Sequence, residues 1–326
     1  MLTNYPFDKI KSKSNFEDAC NKLLNYHYEF SSIYRNYCDL INRPPKSVSS
    51  VEEIPFLPIS FFKSHKLKTF NSNSKIIFRS SGTSKQKKSQ HFLKNKIAYE
   101  KSFLTCFELF YGDAKQYTVL ALLPGYYERN DSSLIYMVKK LISKSNSNKS
   151  GFYLDNFYEL YKNLQILDKK KEKIILIGVS FALVDFVDKY KLNLKNLVVI
   201  ETGGMKGKRK EITRKKLHKI LCDGFGVSSI NSEYGMTELL SQAYSKKNGL
   251  FSCPPWMKVI IREIDDPLSL CKNGEAGGIN IIDLANFESC PFIATDDIGK
   301  IHSSGKFRVL GRIDNSEIRG CNTIYF

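Results

Sequence analysis

The chain has 326 residues, 42% of them hydrophobic and 13% aromatic, which is enough to bury the core of one large α/β domain or two modest ones and excludes a fibre or a disordered tail. No window reaches the roughly 18 consecutive apolar residues of a membrane span, and Met1-Leu2-Thr3-Asn4-Tyr5-Pro6 lacks the charged-then-apolar order of a secretory leader, so a cytoplasmic location is expected. The net charge of +17 would suit nucleic acid or another anionic partner. Its lysines, however, are spread over stretches 9–13, 85–96, 169–173 and 206–219 without an RNA-recognition, zinc-finger or helix-turn-helix pattern, so no specific nucleic acid is expected.

In chain order, Phe16, Cys20, Leu23, Leu24, Tyr28, Ile33, Tyr34 and Cys38 recur at mostly helical spacing, and Asn42-Arg43-Pro44-Pro45 stops the pattern; the spacing predicts a helical opening from Asn15 to about Ile41. Residues 54–63 form a Pro-punctuated apolar segment that reads as loop or sheet edge. Strand-like and helix-like runs then alternate: strand 75–78, helix 97–110, strand 117–123, helix 133–142, strand 173–177, helix 181–190, strand 197–200 and helix 211–221. That alternation predicts an α/β fold with a doubly wound, mainly parallel sheet, which binds ligands beyond the carboxyl ends of its strands. Ser143 to Ser150 reads as a surface loop, and the last third, with short strands at 257–264, 278–282 and 307–310, reads as a smaller, mostly β region.

Five stretches carry candidate chemistry. Phe78-Arg79-Ser80-Ser81-Gly82-Thr83-Ser84-Lys85 is a hydroxyl- and Lys-rich loop able to cradle phosphates, although it lacks the second Gly of a Walker A loop; its plain alternative is a solvated basic loop. Glu201-Thr202-Gly203-Gly204 follows a buried strand and places glycines where a flat base could approach, or simply makes a tight turn. Glu233-Tyr234-Gly235-Met236-Thr237-Glu238 combines a ring, a flexible backbone step, a hydroxyl and a carboxylate, the groups an ATP–Mg²⁺ site needs. Taken alone it reads better as a loop whose Tyr packs, whose Gly turns and whose Glu is solvated. Ala294-Thr295-Asp296-Asp297-Ile298-Gly299 and Gly311-Arg312 offer a carboxylate for ribose hydroxyls near a strand end and an Arg for phosphate or ribose, or else hairpin turns with solvated charges.

The fixed order of these stretches resembles the adenylate-forming superfamily of acyl-CoA synthetases, peptide-synthetase adenylation domains and luciferases. Within it, ETGGMKGKRK (201–210), SEYGMTELLSQAYS (232–245), Pro254-Pro255-Trp256-Met257-Lys258 and Arg319-Gly320-Cys321 are similar to the LuxE acyl-protein synthetase family. The resemblance implies the fold of the large N-terminal portion of an adenylating enzyme, with a helical segment over residues 1–60, the α/β core over 61–250, and a β-rich region over 251–326 that completes the nucleotide site. It implies a reaction in which a carboxylic acid, expected to be a fatty acid, and ATP give acyl-AMP, and the acyl group then passes to a protein cysteine. By motif, Ser80, Ser81, Gly82, Thr83 and Ser84 would meet the phosphates and Gly203 and Gly204 would lie near adenine. Tyr234 would stack on the base with Gly235 and Met236 beside it, and Thr237 would contact the α-phosphate. Glu238 would hold Mg²⁺, Asp297 would bind ribose, and Arg312 would finish the site.

Two residues depart from the superfamily pattern: Lys85 replaces the second phosphate-loop glycine, and Asp296 replaces the glycine before the ribose carboxylate. The sequence ends 14 residues after Arg312, so the full mobile C-terminal domain with its catalytic Lys is not expected, as in the LuxE family. The eight cysteines show neither CxxC pairs nor zinc spacing, which argues against a structural metal and a disulfide framework. Cys321, beside Gly320 and Arg319, is the expected acyl acceptor, and Cys290 is the second candidate. The apolar segments 122–127, 177–181 and 254–256 line an acyl pocket or belong to the core. An acyl reductase or acyltransferase is the expected partner. The alternatives are a ligase delivering to CoA or a carrier protein, and a non-catalytic basic nucleic-acid-binding protein.

Overall fold

The computed structural model describes residues 6–10, 12–72, 74, 76–81, 87–125, 129–205 and 208–313. The helical opening is built as two helices, α1 (Lys13–Phe30) and α2 (Ser32–Leu40). Ser12 caps α1 through the Asn15 N–H. Ser31 takes an extended backbone at φ −115°, ψ 101° and turns its side chain to the Tyr34 N–H, ending one helix and starting the next. The apolar stripe is Phe16, Cys20, Leu23, Leu24 and His27 on α1, continued by Tyr34 and Cys38 on α2, all buried.

The Pro-punctuated segment supplies a short edge strand, β1 (Leu57–Pro58), and a single-turn helix, α3 (Phe61–Ser64). A hairpin of β2 (Ile76–Arg79) and β3 (Gln90–Leu93) follows, then α4 (Ile97–Tyr111), β4 (Thr118–Leu122), α5 (Ser133–Lys144), β5 (Gly151–Phe152) and α6 (Phe157–Lys169). Next come β6 (Ile174–Val179), α7 (Ser180–Lys189), β7 (Leu197–Thr202), α8 (Arg214–Phe225), β8 (Asn231–Tyr234) and β9 (Ala243–Ser245). These build a six-stranded sheet in the order β5-β4-β6-β7-β8-β9, parallel except for β9. Every residue of β4 and β6 is buried, as central strands of a parallel sheet require. Helix α6 carries a buried stripe of Leu160, Asn163, Leu164 and Leu167 that the sequence reading passed over.

The last third forms a second sheet from β10 (Met257–Arg262), β11 (Ala276–Asp283), β12 (Phe292–Ile301) and β13 (Phe307–Arg312). β1 joins it in parallel, pairing Leu57 with Ile293 and Pro58 with Ala294. On the same edge of β12 the partner then changes to antiparallel β13, whose first registered pair is Asp297 with Arg312. Asp297 therefore lies inside a ten-residue strand, not at its end, at the point where β12 changes neighbours.

The two sheets are joined next to this point. The Phe251 and Phe307 backbones exchange hydrogen bonds of 2.8 and 3.0 Å, and Tyr244 pairs with Ser252. The opening helices pack against the segments that lead into β12 and β1, through His27 Nε2, 2.8 Å from the Phe287 carbonyl, and the Tyr34 hydroxyl, which donates to the Pro55 carbonyl at 2.7 Å.

Candidate nucleotide site

Four segments converge where the sheets meet. The first is the mouth of the β2–β3 hairpin. The Ser80 N–H donates to the Ser89 carbonyl at 3.2 Å, and the Ser89 N–H donates to Ser80 Oγ at 3.0 Å, closing the base of the loop. Arg129 Nη2 donates to the Arg79 and Ser80 carbonyls at 3.0 and 2.9 Å and approaches Asp131 at 3.3 Å, so the strand end is fixed by a cation the sequence reading did not single out. Ser81 is exposed; Gly82, Thr83 and Ser84 lie outside the described residues.

The second segment is the turn after β7. Gly203 has φ 67°, a left-handed conformation that favours glycine, and Gly204 is half-buried with open space where a Cβ would stand. Ser180 Oγ lies 3.0 Å from Glu201 Oε2 and 3.2 Å from the Gly203 carbonyl, tying the turn to the start of α7.

The third segment begins with Tyr234, the last residue of β8. Gly235, Met236 and Thr237 are half-buried, and Glu238 is 6% exposed. The backbone of this loop is held by residues that no motif announced. His91 on β3 lies with Nδ1 2.7 Å from the Thr237 carbonyl and Nε2 2.9 Å from Asn286 Oδ1, while Asn286 Nδ2 donates to the Glu238 carbonyl at 2.8 Å. Asp283 accepts from the Leu240 and Ser241 N–H groups at 2.8 and 3.0 Å and from Ser241 Oγ at 2.6 Å. Burial pushes the Glu238 carboxyl upward, and the Ser89 hydroxyl, with the charges of Arg312 and Lys63, partly offsets it.

The fourth segment is the β12–β13 pair. Tyr234 Oη donates to Asp297 Oδ2 at 2.8 Å, and Arg312 Nε lies 3.3 Å from Asp297 Oδ1. Burial raises the Asp297 carboxyl while Tyr234 and Arg312 draw it back. The Tyr234 ring is only 8% exposed and packs with centroids 5.9 Å from Phe251 and 5.5 Å from Phe307. What Tyr234 contributes to its neighbours is thus an anchored hydroxyl as well as an aromatic wall.

Tyr234, Asp297 and Arg312 are in direct contact, and Glu238 is linked to the hairpin base through Ser89 and to Arg312 through charge. Gly203 and Gly204 follow the strand next to β8, with Glu201 registered against Ser232. Cys290 does not join this group. It is 1% exposed, its Sγ donates to the Phe292 carbonyl at 3.4 Å, and burial pushes its thiol up to about 12, which suppresses the nucleophilic thiolate. Cys321 lies outside the described residues. Among the described residues the cysteines are free thiols, and no cluster of three or more His, Cys, Asp or Glu side chains could hold a metal.

Residues 6–325 match the family described as "Acyl-protein synthetase, LuxE". The chain is 26% identical over 292 residues to a "Long-chain-fatty-acid--luciferin-component ligase" of Aliivibrio fischeri, covering 84% of this chain and 76% of that protein. Among solved structures, ATP-bound MatB from Rhodopseudomonas palustris superposes with a TM-score of 0.56 at 14% identity, over 74% of this chain and 49% of that one. An open 2-hydroxyisobutyryl-CoA ligase in complex with its acyl adenylate and CoA superposes with a TM-score of 0.67 at 12% identity, over 93% and 70%. The chain thus spans about half the length of MatB. These structures establish the fold: the α/β architecture of adenylate-forming enzymes.

Proposed function

The chain belongs to the LuxE family of acyl-protein synthetases, and from that membership we propose how its own residues carry the family's chemistry. It is an enzyme of the ligase class. It activates a carboxylic acid with ATP and transfers the acyl group onward. The acid is a fatty acid and the first acceptor is a cysteine thiol of the protein. The acid's carboxylate oxygen attacks the α-phosphorus of ATP, the bond to the β-phosphate oxygen breaks, and pyrophosphate leaves. The thiolate then attacks the acyl carbonyl and AMP leaves with the electron pair of the acyl–oxygen bond.

The observation that carries this reading is the meeting of Tyr234, Asp297 and Arg312, from three strands of two sheets, beside the Glu238 loop. A carboxylate already fixed by a phenol and a guanidinium is pre-organised to accept the two ribose hydroxyls. Arg312, with its side chain 72% exposed, is free to reach a phosphate. The Gly203–Gly204 turn leaves room for the base, and the loop of Ser80, Ser81, Gly82, Thr83 and Ser84 supplies donors to the phosphates, Ser80 through its hydroxyl because its N–H is held by the Ser89 carbonyl. Thr237 donates its hydroxyl to the α-phosphate.

Glu238 fits a Mg²⁺ ligand. It is a desolvated carboxylate beside the phosphate loop, and Mg²⁺ characteristically takes one or two carboxylates and completes its shell with phosphate oxygens and water. Bound there, the ion would shield phosphate charge. The protein itself contributes the fixed carboxylate, the hydroxyls and Arg312.

The enzyme works in the cytoplasm and hands its acyl group to a reductase or transferase. Family membership favours neither a CoA or carrier-protein ligase nor a nucleic-acid-binding role. The test is incubation with ATP, Mg²⁺ and a panel of labelled acids. AMP release together with hydroxylamine-sensitive label on the protein is expected. Salt-dependent DNA binding with no ATP turnover would contradict the proposal.

A further inference from the structure

Glu201 is a buried carboxylate that the nucleotide reading leaves unused. It sits at the carboxyl end of β7, 2% exposed, immediately before the Gly203–Gly204 turn. Ser180 Oγ lies 3.0 Å from Oε2, and Arg214 Nε and His218 Nε2 each lie 3.5 Å from Oε1. Ser232, on the neighbouring strand, places its Oγ 3.2 Å from the same His218 nitrogen. Burial alone would raise this carboxyl, yet the His218 hydrogen bond and the Arg214 charge outweigh it and hold the group below its usual range. Two basic residues one turn apart on α8 therefore clamp that helix to the end of β7.

Arg214 is held on two further sides. Its guanidinium lies 5.0 Å from the centroid of the Phe251 ring, and its stem passes so close to Gly249 that a Cβ there would stand 2.7 Å from Cδ. Phe251 stacks on Phe307 at 5.4 Å and packs on Tyr234 at 5.9 Å, and Tyr234 is bonded to Asp297. A continuous line of contacts thus runs from Glu201 through Arg214, Phe251 and Tyr234 to Asp297. Tyr234 on β8 and Arg312 on β13 touch Asp297, while the charges of Asp296 on β12 and Arg214 on α8 act on it with opposite sign, Asp296 raising and Arg214 lowering its carboxyl. Of the two cations, Arg312 touches Asp297 directly but is 72% exposed along its side chain, whereas Arg214 is 32% exposed and packed between Glu201, Phe251 and Gly249.

We propose that Arg214 is a positioning residue of the nucleotide pocket: locked by Glu201, Phe251 and Gly249, it braces the aromatic wall behind Tyr234 and holds Asp297 as a fixed anionic acceptor for the ribose hydroxyls. The inference rests on the assignment of Asp297 to ribose made above. Arg312 makes the direct contact with Asp297, and Arg214 adds a smaller favourable charge from a fixed position behind the aromatic wall. The guanidinium plane matters as well as its charge, because a lysine keeps the charge but loses the Nε contact and the flat stacking on Phe251.

The experiment compares Arg214→Gln, Arg214→Lys and Asp297→Ala in full-length enzyme by acid-dependent ATP/pyrophosphate exchange, as a function of pH, with Tm measured alongside. Arg214→Gln is expected to raise the KM for ATP by roughly 2- to 30-fold, the range for a residue acting through its neighbours, and to leave the KM for the acid unchanged. It is also expected to move the acid limb of kcat/KM for ATP to higher pH, because Asp297 loses a cation that favours its charged form. Arg214→Lys should fall between the two. An unmoved acid limb, or equal rises in both KM values accompanied by a lower Tm, would reduce Arg214 to a structural residue. If Asp297→Ala raises the KM for ATP and Arg214→Gln does not, the inference falls and the ribose assignment stands. If Asp297→Ala leaves ATP handling intact, both fall together.

Discussion

The Tyr234 hydroxyl is bonded to Asp297 at 2.8 Å across 63 residues of sequence, so the last residue of β8 in the parallel sheet anchors the carboxylate of β12 in the second sheet. Neither group is well hydrated: burial pushes the phenol well above its ordinary range and raises the carboxyl. Tyr234→Phe keeps the ring packed on Phe251 and Phe307 and removes only the donor. The loss of a hydrogen bond to a charged acceptor is worth roughly 1.5 to 3 kcal/mol, so the KM for ATP is expected to rise about 10- to 100-fold with the KM for the acid little changed. Initial-rate kinetics with each substrate varied in turn check this.

The loop carrying Thr237 and Glu238 is held from behind by His91 and Asn286. Asn286→Ala strips the Glu238 carbonyl of its donor and leaves His91 facing a void, at a cost of roughly 1 to 3 kcal/mol in stability. Because the displaced backbone carries the phosphate and metal side chains, kcat for adenylation should fall as well, and more than the KM for ATP rises. Urea denaturation and exchange kinetics on the same preparation separate the two effects. An unchanged kcat in a destabilised protein would make the pair purely structural.

Two buried histidines set an acid limit on the fold. Desolvation lowers both His27 and His91 to about 4, against an ordinary value of 6.5. A folded-state value depressed below the unfolded one means that the unfolded chain binds the proton more readily. The stability from the neutral ring is present above about pH 6.5 and is lost as pH falls towards about 4. Each histidine contributes on the order of 3 kcal/mol across that window. Denaturant midpoints should drop between pH 7 and pH 5, and His91→Asn should flatten the slope.

Cys321 is the proposed acyl acceptor. Cys321→Ser should retain acid-dependent ATP/pyrophosphate exchange and lose the covalent acyl label, whereas Cys290→Ser, which alters a thiol with 1% exposure, should keep both. Full labelling of Cys321→Ser would place the thioester elsewhere.

Most of the fold was legible because it is written in local patterns. The apolar runs of β4, β6 and β7 and the helices α5 and α7 stand out by period alone, whereas α6, whose buried stripe includes Asn163, was passed over. The break at Ser31 was not legible either, since Phe30-Ser31-Ser32 interrupts the apolar spacing too briefly to mark two caps back to back. Tyr234, Glu238, Asp297 and Arg312 were singled out because each sits in a stretch with a fixed neighbour pattern, and the fold brings Tyr234, Asp297 and Arg312 into contact. His91, Asn286, Asp283 and Arg214 were not singled out, because what defines them is a contact across the fold. His91 and Asn286 lie 195 residues apart and no spacing rule joins them. Glu201 lay inside a stretch already singled out, but its partners on α8 became visible only once the helix was placed against β7.

The most direct measurement is acid-dependent ATP/pyrophosphate exchange by the wild-type protein and by Glu238→Gln, with circular dichroism as a control for folding. The amide keeps the size and shape of the side chain and removes the charge a divalent ion needs. Wild-type exchange that requires a carboxylic acid, and its loss in a folded Glu238→Gln protein, is the result expected here. Exchange that is absent from the wild type under all acids tested, or undiminished in Glu238→Gln, would contradict the assignment of this site to adenylation.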